Sequence, residues 1–280
     1  MEQTTNFFSK IKKIYKRFFQ SKRLDKISRQ IIELSVTLFS KTRGFYFPKK
    51  FPWDWKLEML LGLYEKDTTR LFKKIIRPGM TVVDIGAHIG CYTRLSAKLV
   101  GPAGRVLAFE PEPENFQFLV KNTVNLKNVK LFNLAVSDQD GEIAFYKVKN
   151  STGCHSVVPQ QQAETMRVRA VSLDAFLADQ KIERIDIIKI DIEGGEPLAF
   201  KGMNNLLRNA GRLGLVTEFS LSALQSANIA PEIFLEQLRS YGFKLFKIIT
   251  NGQTEALIDD AFIKNDLSLI NNSINILAIK

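Results

Sequence analysis

The run Val82-Val83-Asp84-Ile85-Gly86-Ala87-His88-Ile89-Gly90 reads as a short apolar strand that breaks into a glycine turn and opens a helix. Glycines there let the backbone approach a ligand closely, and the helix N-terminus beyond presents unpaired N–H groups and a positive dipole end to an anionic group. Glu110 closes the next strand, 20 positions after Gly90, where a carboxylate at the sheet edge can accept hydrogen bonds from ribose hydroxyls. Two cofactors use this layout. A dinucleotide wants G-x-G-x-x-G, but position 84 is Asp and Ala87 follows Gly86. S-adenosylmethionine carries no pyrophosphate, and its ammonium and carboxylate ends suit Asp84 with the backbone at Gly86 and Gly90. The third strand ends in Ala135-Val136-Ser137-Asp138, which puts Asp138 where the adenine amino group is expected.

Outward from this turn, β-branched runs alternate with amphipathic helical patterns, the signature of βαβ units around a parallel sheet. Strands are expected at 81–85, 105–110, 129–136, 185–190 and 214–219, and helices at 92–100, 114–126, 173–179, 197–208 and 231–241. The chain closes on 243–249, a turn at Asn251 and Gly252, and 274–279, which predicts an antiparallel hairpin at one side of the sheet. Residues 150–164 are the least patterned.

The 280 residues are 45% apolar and 25% charged, an ordinary globular composition, and no apolar run is long enough to span a bilayer. The net charge of +11 is unevenly placed: residues 1–50 hold 13 basic and three acidic residues, which is +10, and leave +1 for residues 51–280. A boundary is therefore placed near residue 50, between a basic amphipathic helical appendage (1–50) and a catalytic domain (51–280). Phe7, Phe8, Ile11, Ile14, Tyr15 and Phe18 recur at helical spacing with lysines largely opposite, which suits peripheral contact with an anionic membrane through residues 1–20 better than a nucleic-acid groove. Packing of that helix on the catalytic domain is the alternative. Lys10, Lys12, Lys13, Lys16 and Arg17 interrupt every candidate signal sequence, so a cytoplasmic location is expected. Cys91, Cys154, His88 and His155 are too few for a cysteine-based metal site, and no metal is expected.

An ordered set of motifs resembles the FkbM-type S-adenosylmethionine-dependent methyltransferases of the Rossmann-like class I fold. They are Tyr64-Glu65, Pro78-Gly79, the turn from Val83 to Thr93, Gly104-Arg105-Val106, Ala108-Phe109-Glu110-Pro111, Ala135 to Asp138 with Gly141, Ser172-Leu173-Asp174, and Ile188 to Gly194, spanning roughly residues 57–219. The resemblance implies a mostly parallel, doubly wound sheet, S-adenosylmethionine as cofactor, and methylation of a hydroxyl on a small molecule or glycan. It implies cofactor contacts from Glu65, Asp84, Gly86, Ala87, Gly90, Tyr92, Thr93, Glu110, Pro111 and Asp138. His88 departs from the family's usual Asn and is expected to change detail without loss of binding.

Lys189-Ile190-Asp191-Ile192-Glu193-Gly194 carries charge at the carboxyl end of an apolar strand. Asp191 or Glu193 is the expected base or substrate-orienting group, with His155, in the unpatterned loop beside Ser156, as the alternative. Lys189 pairing with Asp191, and Glu196 starting a helix, is the structural alternative, and Glu218 either orients the site or pairs with a cation. Two other readings stand beside methyl transfer to a hydroxyl. One is a nucleic-acid amine methylase, although Asp-Ile-Glu-Gly replaces its Pro-Pro-Tyr motif. The other is a noncatalytic protein that binds nucleic acid or membrane through residues 1–50.

Overall fold

The computed structural model describes residues 22–49, 51–148, 155–159, 163–260, 262–263 and 273–280, with 22–29 described as backbone only. The expected membrane helix of residues 1–20, and Cys154, lie outside them. Three helices come first: α1 (Lys22–Thr42), α2 (Trp53–Leu61) and α3 (Lys66–Ile75). Strand β1 (Thr81–Ile85) leads into α4 (Cys91–Val100), β2 (Arg105–Phe109), α5 (Pro113–Thr123) and β3 (Val129–Phe132). Next come β4 (Ala135–Val136), β5 (Gly141–Val148), β6 (Ala163–Val171), α6 (Leu173–Asp179), β7 (Ile187–Ile190), α7 (Glu196–Gly202) and α8 (Asn204–Asn209). Finally β8 (Gly214–Phe219), α9 (Leu221–Ser226), α10 (Pro231–Ser240), β9 (Lys244–Ile249), β10 (Gln253–Ala256) and β11 (Ile274–Ile279) close the chain.

The main sheet has eight strands in the order β10-β9-β11-β8-β7-β1-β2-β3. From β3 to β8 all pairings are parallel, and β11 runs antiparallel to both β8 and β9. This is the Rossmann-like class I arrangement. Chain order runs outward through β2 and β3 on one side of β1 and through β7 and β8 on the other. The carboxyl ends of β1 and β7 therefore flank the switch point at which open α/β sheets bind ligands.

Both central strands are buried along their length, and period-two alternation divides their side chains. Val83, Ile85, Leu107, Phe109, Ile188 and Ile190 enter the larger core, with α6, α7 and α10 residues such as Leu177, Phe200 and Phe234. Val82, Val106, Ile187 and Val216 face the other way, onto Phe72, Tyr92 and Val100. By the same alternation Asp84 and Lys189, register partners in the β1–β7 ladder, lie on this second face.

Several boundaries differ from the sequence expectation. The strand expected over 129–136 is interrupted at Asn133, whose side-chain amide donates to the carbonyls of Glu110 and Pro111 (2.7 and 3.0 Å) and turns the chain away from the ladder. β4 then joins a second sheet, β4-β6-β5, whose long strands flank the unpatterned stretch. The helix expected over 197–208 divides at Gly202, which packs so closely on Ser137 that a Cβ there would sit 1.8 Å from its carbonyl oxygen. Across the turn at Asn251 and Gly252 the hairpin partner of β9 is β10, while β11 enters between β9 and β8.

The chain around residue 50 is tied to the sheet layers on both sides. The Tyr46 N–H donates to Asn122 Oδ1 (2.6 Å), Arg94 donates to the Gly44 carbonyl (2.7 Å), and Lys56 pairs with Glu33 of α1 (3.3 Å). Phe45, Phe51 and Ile89 form one apolar cluster, which brings α2 beside the glycine turn.

Candidate active site

Two cavities open at the carboxyl edge of β1, and Gly86, His88 and Asp191 line both. The first takes in Glu110, Pro111, Asn115, Ala135, Val136 and His155. The second, about 270 Å³, is lined by Glu65, Asp84, Ala87, Tyr92, Glu193 and Glu218, with Trp55 and Tyr64 among its aromatic walls.

The glycine turn is built for close approach. Gly86 has φ +78°, and a Cβ there would lie 2.0 Å from the Asp191 carbonyl oxygen, so a side chain would separate β1 from the loop after β7. The Gly86 and Ala87 N–H groups both donate to the Phe109 carbonyl (3.0 and 2.9 Å), which locks the turn onto β2. Gly90, at φ +94°, precedes α4 and would drive a Cβ into Leu119.

Glu110 is buried, and its carboxylate accepts from the backbone N–H of His88 (2.8 Å) and of Glu112 (2.9 Å). Burial raises its pKa to about 7 against these two donors. Glu112, also buried, pairs with Lys147 of β5 (2.7 Å) and caps α5 through the Asn115 N–H (2.6 Å). Asp138 is exposed, takes a hydrogen bond from Ser137 Oγ (3.1 Å), and is not among the residues lining this cavity, which Val136 bounds at that end. His155 lines it with Nδ1 turned to the Val148 N–H (3.1 Å), and burial lowers its pKa.

In the second cavity Asp84 Oδ2 accepts from Thr93 Oγ1 (2.6 Å), while Oδ1 is buried with no partner. Burial raises the Asp84 pKa, with the Lys189 charge opposing. An unpartnered buried carboxylate oxygen is costly, and an ammonium group satisfies it. The methionine end of S-adenosylmethionine therefore fits beside Asp84. Glu65, at φ +39°, accepts from Tyr92 Oη (2.8 Å) and Asn275 Nδ2 (3.2 Å). Lys189 is buried over the Tyr92 ring (4.8 Å) and pairs with Asp191 (2.9 Å). Burial alone would depress its pKa, but Asp191, Glu65 and Asp84 hold it above the usual lysine range.

Glu193 sits at φ +53°, and among the described residues its carboxylate makes no hydrogen bond. Burial, then the charges of Asp191 and Glu196, raise its pKa to about 8. Glu218, which accepts from Ser273 Oγ, is raised to about 9 by burial and by Asp191 and Glu193. Oxygens of Asp191, Glu193 and Glu218 lie within 4.8 Å of one another, a grouping a cation could also occupy. His88 stacks on Phe51 (5.8 Å), and burial lowers its pKa to about 4, so its ring is neutral.

Sequence reasoning missed the supports of this loop. Glu196 is more than a helix-starting acid: it accepts from the N–H groups of Ile192 and Gly194 (both 2.9 Å) and fixes the bend that presents Glu193. Ser156 Oγ donates to the Glu193 carbonyl (2.8 Å), so the chain between β5 and β6 rests on the same bend. Trp55 and Met59 were missed as well, since long-range packing, of Phe51 on His88 and of Met59 on the Phe45, Phe51 and Ile89 cluster, brings α2 here.

The fold is that of the Rossmann-like class I methyltransferases. Residues 84–245, more than half the chain, match the methyltransferase FkbM domain, and the chain belongs to that family. Its cofactor is S-adenosylmethionine. The hexuronic acid methyltransferase AglP of Haloferax volcanii is 26% identical over 157 residues, 55% of this chain and 62% of that protein. Methyltransferase sdnD of Sordaria araneosa is 30% identical over 165 residues, 46% of this chain and 63% of that protein. The chain thus spans less than two thirds of the length of either. The 2-O-methyltransferase NoeI of Sinorhizobium fredii is 25% identical over 181 residues and 73% covered. A solved precorrin-6y C5,15-methyltransferase of Geobacter metallireducens superposes with a TM-score of 0.45 at 16% identity, over 84% of this chain and 93% of that one.

Proposed function

We propose that the protein transfers a methyl group to a hydroxyl of a small-molecule or glycan acceptor, with Glu193 as the group that takes the hydroxyl proton. The observation that carries this reading is the Glu193 carboxylate, free of hydrogen-bond partners among the described residues, in the cavity it shares with Asp84 and Trp55. When bound, S-adenosylmethionine supplies a sulfonium leaving group, so the protein has to hold the acceptor oxygen in line and remove its proton. Glu110 and Asp84 anchor the two ends of the donor. Asp191, neutralised by Lys189, orients the acceptor from the side, and Glu193 accepts the proton as the new oxygen–carbon bond forms and the carbon–sulfur bond breaks. Its pKa of about 8 suits a base working near neutral pH. Trp55, 41% exposed at the cavity, offers an apolar face for the ring of a sugar. Two relatives whose names specify a hexuronic acid and a 2-O position support the same acceptor class. On the charge of the sequence, residues 1–20 add a peripheral contact with an anionic membrane.

The test is S-adenosylhomocysteine release from S-adenosylmethionine with methyl glycosides of neutral hexoses and hexuronates. Glu193→Gln is expected to lower turnover by ~10² to 10⁴ with little change in cofactor affinity. Undiminished turnover in both Glu193→Gln and Asp191→Asn, with His155→Gln inactive, would transfer the base role to His155.

A further inference from the structure

We propose that the face formed by α1 and the groove below it docks on the surface of an anionic phospholipid bilayer. This face shares no lining residue with the catalytic cavities, and its residues are other than the 1–20 segment. Ile31, Leu34 and Leu38 of α1 recur at helical spacing and are 61, 61 and 55% exposed, whereas Val36 and Ser40 of the same helix are buried. The helix thus turns an apolar stripe outward while its other side packs on the protein, through pairs such as Glu33 with Lys56. An outward apolar stripe on a helix already anchored by its opposite face is unfavourable in water unless something covers it.

What covers it is indicated by the charge beside it. Directly after α1 the chain forms a groove of about 560 Å³ lined by Arg43, Tyr46, Arg94, Lys98, Lys121 and Val124, with no acidic residue in its walls among the described residues. The Arg94 guanidinium is committed to the carbonyls of Gly44 and Asn122 (2.7 and 2.6 Å) and forms the rigid floor. Arg43, Lys98 and Lys121 are exposed and, among the described residues, none of the three is in a salt bridge, so their charges face outward. Arg43 joins the two parts, since its guanidinium lies over the Phe39 ring of α1 (5.0 Å). Val124, 73% exposed, stands beside Lys121 as an apolar residue at the rim. Cations that can meet lipid phosphates beside apolar residues that can enter the acyl boundary make an interfacial contact. An RNA phosphate track would use the cations and leave Ile31, Leu34, Leu38 and Val124 in water. No described helix is long and apolar enough to cross a membrane, so the contact is with the surface.

The experiment is flotation of the full chain with vesicles of phosphatidylcholine containing roughly 30% phosphatidylglycerol, against phosphatidylcholine alone, at low and high salt. Binding is expected to the anionic vesicles and to weaken with salt. Lys98→Glu/Lys121→Glu and Ile31→Ser/Leu34→Ser are each expected to lower the partition constant about tenfold or more while S-adenosylhomocysteine affinity, read by calorimetry, stays unchanged. Three results would overturn the proposal. The first is attachment that survives both pairs and is lost only in Lys10→Glu/Lys13→Glu/Arg17→Glu, which would leave residues 1–20 as the whole membrane contact. The second is a lipid-free dimer in sedimentation velocity that Ile31→Ser/Leu34→Ser dissociates. The third is polyuridylate binding abolished by the charge pair with no vesicle binding at all. Failure of methyl transfer would not bear on it, because none of these readouts uses turnover.

Discussion

Glu110→Gln tests the donor site at the point where structure and titration make separate demands. The Glu110 carboxylate already accepts two backbone N–H groups, and each oxygen keeps a lone pair for one ribose hydroxyl. A hydrogen bond to a charged acceptor contributes ~1.5 to 3 kcal/mol, so the neutral amide is expected to weaken S-adenosylmethionine binding ~10- to 150-fold. Titration adds an independent signature. With a pKa of about 7, the carboxyl is mostly protonated at pH 6 and mostly ionised at pH 8. Hydroxyl donors favour the ionised form, and linkage then makes binding about tenfold tighter at pH 8 than at pH 6. Calorimetry across that range should show this slope in the wild type and its loss in Glu110→Gln. A dissociation constant flat with pH in the wild type, or a slope retained by the variant, would refute the assignment even if the variant bound weakly.

Gly86→Ala is expected to cost ~2 to 4 kcal/mol of stability, from a positive φ and a Cβ set 2.0 Å from the Asp191 carbonyl; a melting temperature unchanged from wild type would show that the turn relaxes freely. Glu110 and Glu196, each raised to about 7, and Glu193, raised to about 8, ionise more easily in the unfolded chain, where 4.5 is ordinary. Their stabilising effect is full below that value and lost as pH rises through 7 to 8, so the ligand-free melting temperature should fall between about pH 5.5 and 8.5, and a rise would contradict the burial argument. Turnover is expected to persist in chelator, because a sulfonium needs no Lewis acid to depart; activity abolished by chelator and restored by Mg²⁺ would place a cation on Asp191, Glu193 and Glu218.

The parts of the site legible in the sequence are those whose geometry is local. The β1 run and its turn are contiguous, and Gly86 and Gly90 have the positive φ that such a turn requires. Glu110 follows from the length of one strand–helix–strand unit. Contacts between distant segments had no such signature. The β4-β6-β5 sheet depends on pairing across an unpatterned stretch, and β10 is a four-residue polar strand, exposed throughout, whose place is set by β9 alone. Trp55 joins the site because Phe51 packs in one cluster with Phe45 and Ile89, a contact between segments more than 30 residues apart. Asp138 was expected near adenine from its position after a strand; the chain leaves the main sheet at Asn133, and the residue lies exposed beside Ser137, which follows Val136 at the edge of the first cavity.

That departure at Asn133 also explains how the two cavities are joined. By leaving the main sheet, the chain builds β5 and β6 over the Glu110 side, and Lys147 of β5 grips Glu112 at the entrance to α5. The connection between those strands bridges back to Tyr146 at Ser156, whose hydroxyl accepts the Val158 N–H and donates to the Glu193 carbonyl. One polar chain therefore runs from the residues that hold Glu110, through the β5–β6 connection, to the backbone of Glu193, and Glu196 holds that bend from the opposite side. The hydrogen bonds and the ion pair along it span 2.7 to 3.2 Å, and Glu112, Ser156 and Glu196 are buried, so slack at those links is not readily taken up by water. If Glu193 takes the hydroxyl proton and Glu110 holds the donor, as proposed, the base needs its backbone referenced to the donor's anchor, and this chain of bonds supplies that reference.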